Sequence, residues 1–175
     1  MPDHVVLGMV GLGARSGYAI KQTVEQSIRF FWTISQAQIY PSLARLERAG
    51  LLAGESDPQG SRPRRVYQLT ASGHAELVRW LTDDEPMPFE LRDHGMLKLF
   101  FAGVLGRDQA REILHAVRAR SAERIRALRA IEPAARQAEA AGSYYPALTL
   151  RLGLAYHQAI IDVCDDFETQ HERPG

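Results

Sequence analysis

The chain has 175 residues, with 21 Lys plus Arg balanced by 21 Asp plus Glu, 45% apolar residues and a single cysteine. This is the composition of an ordinary globular chain, enough for one sizeable domain or two small ones, and not of a disordered or fibrous polymer. Cys164 alone cannot close an intramolecular disulfide, and no apolar run has the length of a membrane span or the pattern of a secretory leader, so a cytoplasmic protein without a membrane partner is expected.

The zero net charge conceals an asymmetry. Residues 1–80 carry 9 Lys plus Arg against 6 Asp plus Glu, and residues 81–175 carry 12 against 15. A basic half joined to an acidic half is compatible with one half facing phosphate and the other facing protein or solvent.

In chain order, Asp3 is placed to cap a first helix running to Gly11, with Val5, Val6, Met9 and Val10 on its apolar face. A second helix starts near Ser16 and Gly17, and the recurrence of Ile20, Val24, Ile28 and Phe31 extends it to about Phe31. A third begins at Ser35, buries Ile39, Leu43 and Leu46, and stops at Gly50. Its opposite face carries Ala37, Pro41, Ala44, Arg45 and Arg48, flanked by Gln38 and Tyr40. Small residues beside Gln and Arg suit entry into a major groove, where Gln pairs with adenine and Arg with guanine or phosphate. An interior proline is costly in a helix, so Pro41 predicts that this helix either opens in its first turns or begins later.

After Gly50 come the apolar run Leu51, Leu52 and Ala53, a turn at Asp57, Pro58 and Gly60, and a second β-type run at Val66, Tyr67 and Leu69. Arg62, Arg64 and Arg65 around Pro63 make a basic hairpin tip that can reach phosphates or a narrow minor groove. Thr70 then caps a helix that places Leu77, Val78 and Leu81 inside. Three helices followed by a basic hairpin form the order of a winged helix-turn-helix.

These residues resemble the PadR family of bacterial transcriptional regulators. The resemblance rests on Leu7-Gly8 with Ser16-Gly17-Tyr18 and Ile20, on Gln38-Ile39-Tyr40-Pro41-Ser42-Leu43 with Leu46 and Gly50-Leu51, and on Arg65-Val66-Tyr67-Gln68-Leu69-Thr70 with Gly73. It implies a winged-helix homodimer, usually a repressor, whose C-terminal helices make the dimer contacts. It also implies a small-molecule effector, phenolic acids and drug-like compounds being among those the family binds, and it makes Pro41 part of the motif.

Beyond Pro86 and Pro88, Met96, Leu97, Phe100, Phe101, Val104 and Leu105 form an apolar stripe ending at Gly106. Asp108 is placed to cap a long helix with Ala110, Ile113, Leu114, Val117, Ile125, Leu128 and Ile131 at heptad-like spacing, which Pro133 should kink or end. A last helix opens near Pro146, with Leu148, Leu150, Leu152, Leu154, Ile160, Ile161, Val163 and Phe167 covering more than one face. A helix apolar on two sides needs two partners, one of them a second chain. Trp32, Trp80, Phe100 and Phe101 fall on stripes expected to be buried.

The expected architecture is mostly α with a two-stranded β wing. A winged helix-turn-helix spans 1–85 and an antiparallel helical dimerisation region spans 86–175. The DNA-binding set is Ser35, Gln36, Ala37, Gln38, Tyr40, Pro41, Arg45, Arg48, Arg62, Arg64 and Arg65. The dimerisation set is Leu148, Leu152, Leu154, Ile160, Ile161 and Phe167. Double-stranded DNA bearing a two-fold operator and a second copy of the chain are the expected partners. No glycine-rich phosphate loop, nucleophile elbow or paired-His motif occurs, so neither catalysis nor a cofactor is expected. Two alternatives stay open. One is a metal-responsive winged-helix regulator, since Asp162, Cys164, Asp166, Glu168 and His171 crowd the last helix. The other is a helical interaction protein that does not bind DNA.

Overall fold

A computed structural model describes residues 2–57, 64–84, 89 and 91–171, and of Arg64 the backbone only. The chain divides into two compact units, Met1–Met87 and Pro88–Gly175.

The first unit packs three helices against a hairpin. Helix α1 (Pro2–Gly11) buries Val6, Leu7, Met9 and Val10; α2 (Gly17–Gln26) buries Ile20 and Val24; α3 (Gln36–Arg48) buries Ile39, Leu43 and Leu46. These side chains form one core with Ala14, Leu52 and Tyr67. Each fully buried aliphatic side chain contributes about 1.5–3 kcal/mol relative to exposure. Strands β1 (Leu52–Asp57) and β2 (Arg64–Leu69) pair antiparallel, from Leu52 opposite Leu69 to Asp57 opposite Arg64. The Tyr67 N–H donates to the Arg15 carbonyl at 2.7 Å, fastening the hairpin to the turn between α1 and α2. Helix α4 (Ala71–Leu81) starts at Thr70, whose hydroxyl accepts from the Gly73 N–H at 3.0 Å.

Gly50 makes the turn from α3 into β1. With φ of +71°, it lets its own N–H reach the Glu47 carbonyl and the Leu51 N–H reach the Leu46 carbonyl, both at 2.9 Å. Two otherwise unpaired helix-end carbonyls are satisfied in this way, and a side chain at Gly50 would strain the turn.

Several expectations for this unit are corrected. Asp3 lies inside the first turn of α1. Helix α2 ends at Gln26, because Ser27 leaves helical dihedrals and its hydroxyl donates back to the Thr23 carbonyl at 2.5 Å. Phe31 is consequently exposed. Helix α3 neither opens nor starts late at Pro41. The ring removes a single donor, and the unmatched Ala37 carbonyl lies on an exposed residue that water can satisfy. Val78 and Leu81 are exposed, and only Leu77 of the three packs against the core. Trp80 is half-buried and stacks on His4, with ring centroids 4.9 Å apart. Trp32 is also half-buried.

The second unit is all helical. Helix α5 (His94–Phe101) is capped by Asp93, whose carboxylate accepts from the Gly95 and Met96 N–H groups at 2.7 and 3.1 Å. A 3₁₀ turn (Ala102–Val104) leads to α6 (Arg107–Ala140), which forms an antiparallel hairpin with α7 (Tyr145–His171). The α6 seam reads Leu114, Val117, Ser121, Ile125 and Leu128, at successive intervals of three, four, four and three residues. Against it α7 buries Ala147, Leu150, Gly153 and Cys164.

Here too the structure corrects the sequence reading. Gly106 and not Asp108 is the cap of α6. Helix α6 continues seven residues past Pro133, since the carbonyl that the proline leaves unmatched belongs to the exposed Arg129. The expected stripe on α5 is not buried: Phe100 is 81% exposed, with Met96, Leu97, Phe101, Val104 and Leu105 also exposed. Helix α5 is apolar nearly all round, so its pattern could not name its inner face. The side chain that packs on the Leu114–Val117–Cys164 cluster is Leu99. Gly95, one turn earlier, lies so near that a Cβ there would come within 2.8 Å of Val117 Cγ2.

Candidate nucleic-acid interface

Helix α3 buries one face, and the other presents Gln36, Ala37, Gln38, Tyr40, Pro41, Ala44, Arg45 and Arg48 to solvent. At 100° per residue, Ala37, Pro41, Ala44 and Arg48 form the central outward line. Three small side chains followed by one guanidinium allow the helix backbone to approach a flat surface closely.

The start of α3 is held by Ser35 and Gln38. Gln38 Oε1 accepts from the Ser35 backbone N–H at 2.9 Å and from its hydroxyl at 3.1 Å. This reciprocal cap satisfies a donor that the helix start leaves free. It also occupies the oxygen that Gln38 would need, together with its amide nitrogen, for bidentate pairing with adenine.

Neither Arg45 nor Arg65 is free. Arg45 donates to Asp3 at 2.6 Å through one terminal nitrogen and at 3.3 Å through Nε, and to Ser42 Oγ at 2.9 Å. It thus joins α3 to α1, and its guanidinium holds the Asp3 carboxyl below the usual carboxylate range. Arg65 on β2 is paired with Glu47 on α3, which is lowered in the same way. Arg48 donates through Nε to the Ala44 carbonyl at 3.2 Å and has no carboxylate partner among the described residues. The Tyr40 ring lies over Gly17 of α2, where a Cβ would meet Cε1 at 2.7 Å. Arg62 lies outside the described residues, and Arg64 is located by its backbone opposite Asp57.

The sequence reading did not identify Asp3, Ser42 and Glu47 as the partners of these arginines. All three lie off the repeating apolar pattern, and Asp3 is 42 residues from its partner Arg45. The single available signal was an acidic residue, Glu47, on a helix otherwise suited to phosphate.

In the second unit, α7 has a second apolar face. Tyr145, Leu148, Leu152, Tyr156, Val163 and Phe167 are exposed along one stripe. Of the expected dimer residues, Leu148, Leu152 and Phe167 lie on it. Leu154, Ile160 and Ile161 are half-buried, and Ile160 packs on the Leu114–Val117–Cys164 cluster.

The candidate metal ligands are not brought together. Cys164 is buried, Glu168 pairs with His115, and His171 stacks on Phe167. Among the described residues no three His, Cys, Asp or Glu side chains converge, and no helix is long and apolar enough to cross a membrane.

Residues 6–79 match the model of the transcriptional regulator PadR-like family, and residues 91–172 match that of the virulence activator alpha C-terminal region. The negative transcriptional regulator PadR of Bacillus subtilis is 33% identical over 111 residues, 63% of this chain. That match spans 61% of the relative's own length. The crystal structure of Bacillus subtilis PadR in complex with operator DNA superposes with a TM-score of 0.84 at 24% identity, covering 96% of each chain. The structure of the same protein in complex with p-coumaric acid gives 0.76 at 22% identity, covering 99% of this chain and 98% of that one. These likenesses show the winged-helix fold with its helical C-terminal region.

Proposed function

We propose that this chain is a PadR-like transcriptional regulator: a sequence-specific DNA-binding repressor, not an enzyme, acting in the cytoplasm as a homodimer on a two-fold operator. The observation that carries this reading is the outward line of α3, where Ala37, Pro41 and Ala44 let the backbone approach and Arg48 closes the row. The wing follows one turn later, fastened to α3 by the pair between Arg65 and Glu47. Arg48 and the wing backbone give phosphate contacts, and the residues around the α3 start read base edges.

The exposed stripe of α7 supports the dimer. An apolar row along a 27-residue helix is more than a lone monomer leaves to water without use. Pairing two winged helices adds the second half-site at high effective concentration. The Bacillus subtilis relative is a negative regulator, and its structures hold operator DNA or p-coumaric acid. By that likeness a small aromatic acid is the effector class, and its binding favours a dimer whose α3 helices no longer match the half-site spacing.

The test is selection of bound fragments from genomic DNA with the purified chain, followed by gel shifts over a salt series. A recurrent two-fold sequence should emerge, with log affinity falling by about 0.9 per decade of salt for each phosphate contacted. Absence of any salt-dependent binding would refute the reading.

A further inference from the structure

Glu47 is the only acidic residue in α3 and lies in its last turn, where the helix dipole disfavours a carboxylate and where a groove-seeking helix would repel phosphate. Its surroundings give it a role. Arg65 on β2 donates to it through Nε at 3.2 Å and through a terminal nitrogen, and the carboxylate lies close against Gly54 on β1. One carboxylate of α3 therefore binds one strand of the wing and packs against the other. Gly54 leaves the space this needs, for a Cβ there would collide with the carboxylate and come within 2.8 Å of Arg65 Nε.

We infer that Glu47 is a positioning residue: it fixes the wing on α3 and keeps Arg65 away from phosphate, so that discrimination between operator and bulk DNA depends on it. The inference rests on the DNA-binding reading above. Base readout tolerates displacements of only a fraction of an ångström, whereas an arginine on phosphate adds affinity to any sequence alike. A clamp that sets the wing angle and masks one wing charge favours the first over the second.

The test uses the full chain and two readouts. Amide hydrogen exchange over 52–57 and 64–69, which needs no DNA, reports whether the wing is held. Affinities for a duplex selected from genomic fragments and for a random-sequence duplex, each across a salt series, report discrimination.

Glu47→Ala should speed exchange in both strands. It should tighten the random duplex, steepen its salt slope by about 0.9 as Arg65 gains a phosphate, and cut the selected-to-random ratio about tenfold, the scale of one mismatched base pair. Glu47→Gln keeps one of the two bonds from Arg65, since its amide nitrogen cannot accept the other, and removes the charge, so exchange should rise less than in Glu47→Ala while the random duplex still tightens. Gly54→Ala displaces the pair without changing any charge and should repeat the loss of discrimination. Unchanged exchange in Glu47→Ala, or equal shifts on both duplexes, would overturn the inference. If the unsubstituted chain binds neither duplex, the functional reading fails, and the exchange measurement alone then decides whether Glu47 holds the wing.

Discussion

Replacing Leu152 by Glu tests the proposed dimer face of α7. Leu152 is 62% exposed in the single chain and lies on a row with Leu148, which is 49% exposed. Complete burial of a leucine is worth about 1.5–3 kcal/mol, so roughly 1–2 kcal/mol is still unrealised at Leu152 before pairing. In a two-fold interface every substitution occurs twice, and Leu152→Glu removes about 2–4 kcal/mol before any cost of desolvating the carboxylates. At about 1.4 kcal/mol per decade, the dimer Kd should rise roughly 30- to 1,000-fold. Glutamate is nearly as good a helix former as leucine, so α7 itself should persist. Sedimentation velocity over a concentration series measures the constant, and circular dichroism checks the fold. Leu150 is the control from the opposite face: it is 4% exposed, and Leu150→Ala should lower the melting temperature of the chain. Unchanged self-association of Leu152→Glu, with helix content intact, would remove this face from the interface.

Arg45→Ala should weaken binding to a genome-selected duplex by about one to two orders of magnitude in gel shifts if Arg45 leaves Asp3 for a base. Equal affinity would confine it to joining α1 and α3. Gln38→Glu keeps the cap on Ser35 but leaves only acceptors, so thermal stability should hold while the selected duplex loses more affinity than a random one. Gly73→Ala would drive a Cβ into the Leu51 carbonyl, which is backbone and cannot swing aside; urea unfolding should show a loss of about 1–3 kcal/mol. His157 is held below its usual pKa of 6.5 by burial and by Arg124 and Arg120. The unfolded chain therefore binds the proton more readily, and stability should be complete above pH 6.5 and fall as pH drops below it, by at most about 1.4 kcal/mol per pH unit. His157→Phe should abolish that slope in melting curves against pH.

The elements were legible where a single face had to be buried. The spacing of Ile39, Leu43 and Leu46 gave α3 its inner side, Ser16 and Thr70 marked helix starts, and Gly50 marked a stop. Legibility failed where the pattern was redundant. Helix α5 is apolar on nearly every side, so neighbours chose Leu99 over Phe100 and Phe101. The prolines misled for a related reason: a lost helix bond is costly only where water cannot replace it, and the carbonyls that Pro41 and Pro133 leave unmatched belong to exposed residues. Helix α2 shows the converse, an apolar period outlasting its helix because Ser27 competes for the Thr23 carbonyl.

The candidate interface divides along the same line between local and distant causes. Exposure of Ala37, Pro41 and Arg48 follows from helix period alone, and the sequence contains it. The state of Arg45 and Arg65 depends on carboxylates brought from 42 and 18 residues away, which no local pattern encodes. Those pairs alter how binding must proceed. A guanidinium that leaves a carboxylate for DNA exchanges one charged partner for another, so its net gain is smaller than for a free arginine, whereas Arg48 gives up only one bond to a carbonyl. Under the proposed function, Arg48 is thus the arginine of α3 for which a phosphate contact would oppose no existing ion pair, and the contribution of Arg45 would depend on whether a base offers its fork a better match than Asp3.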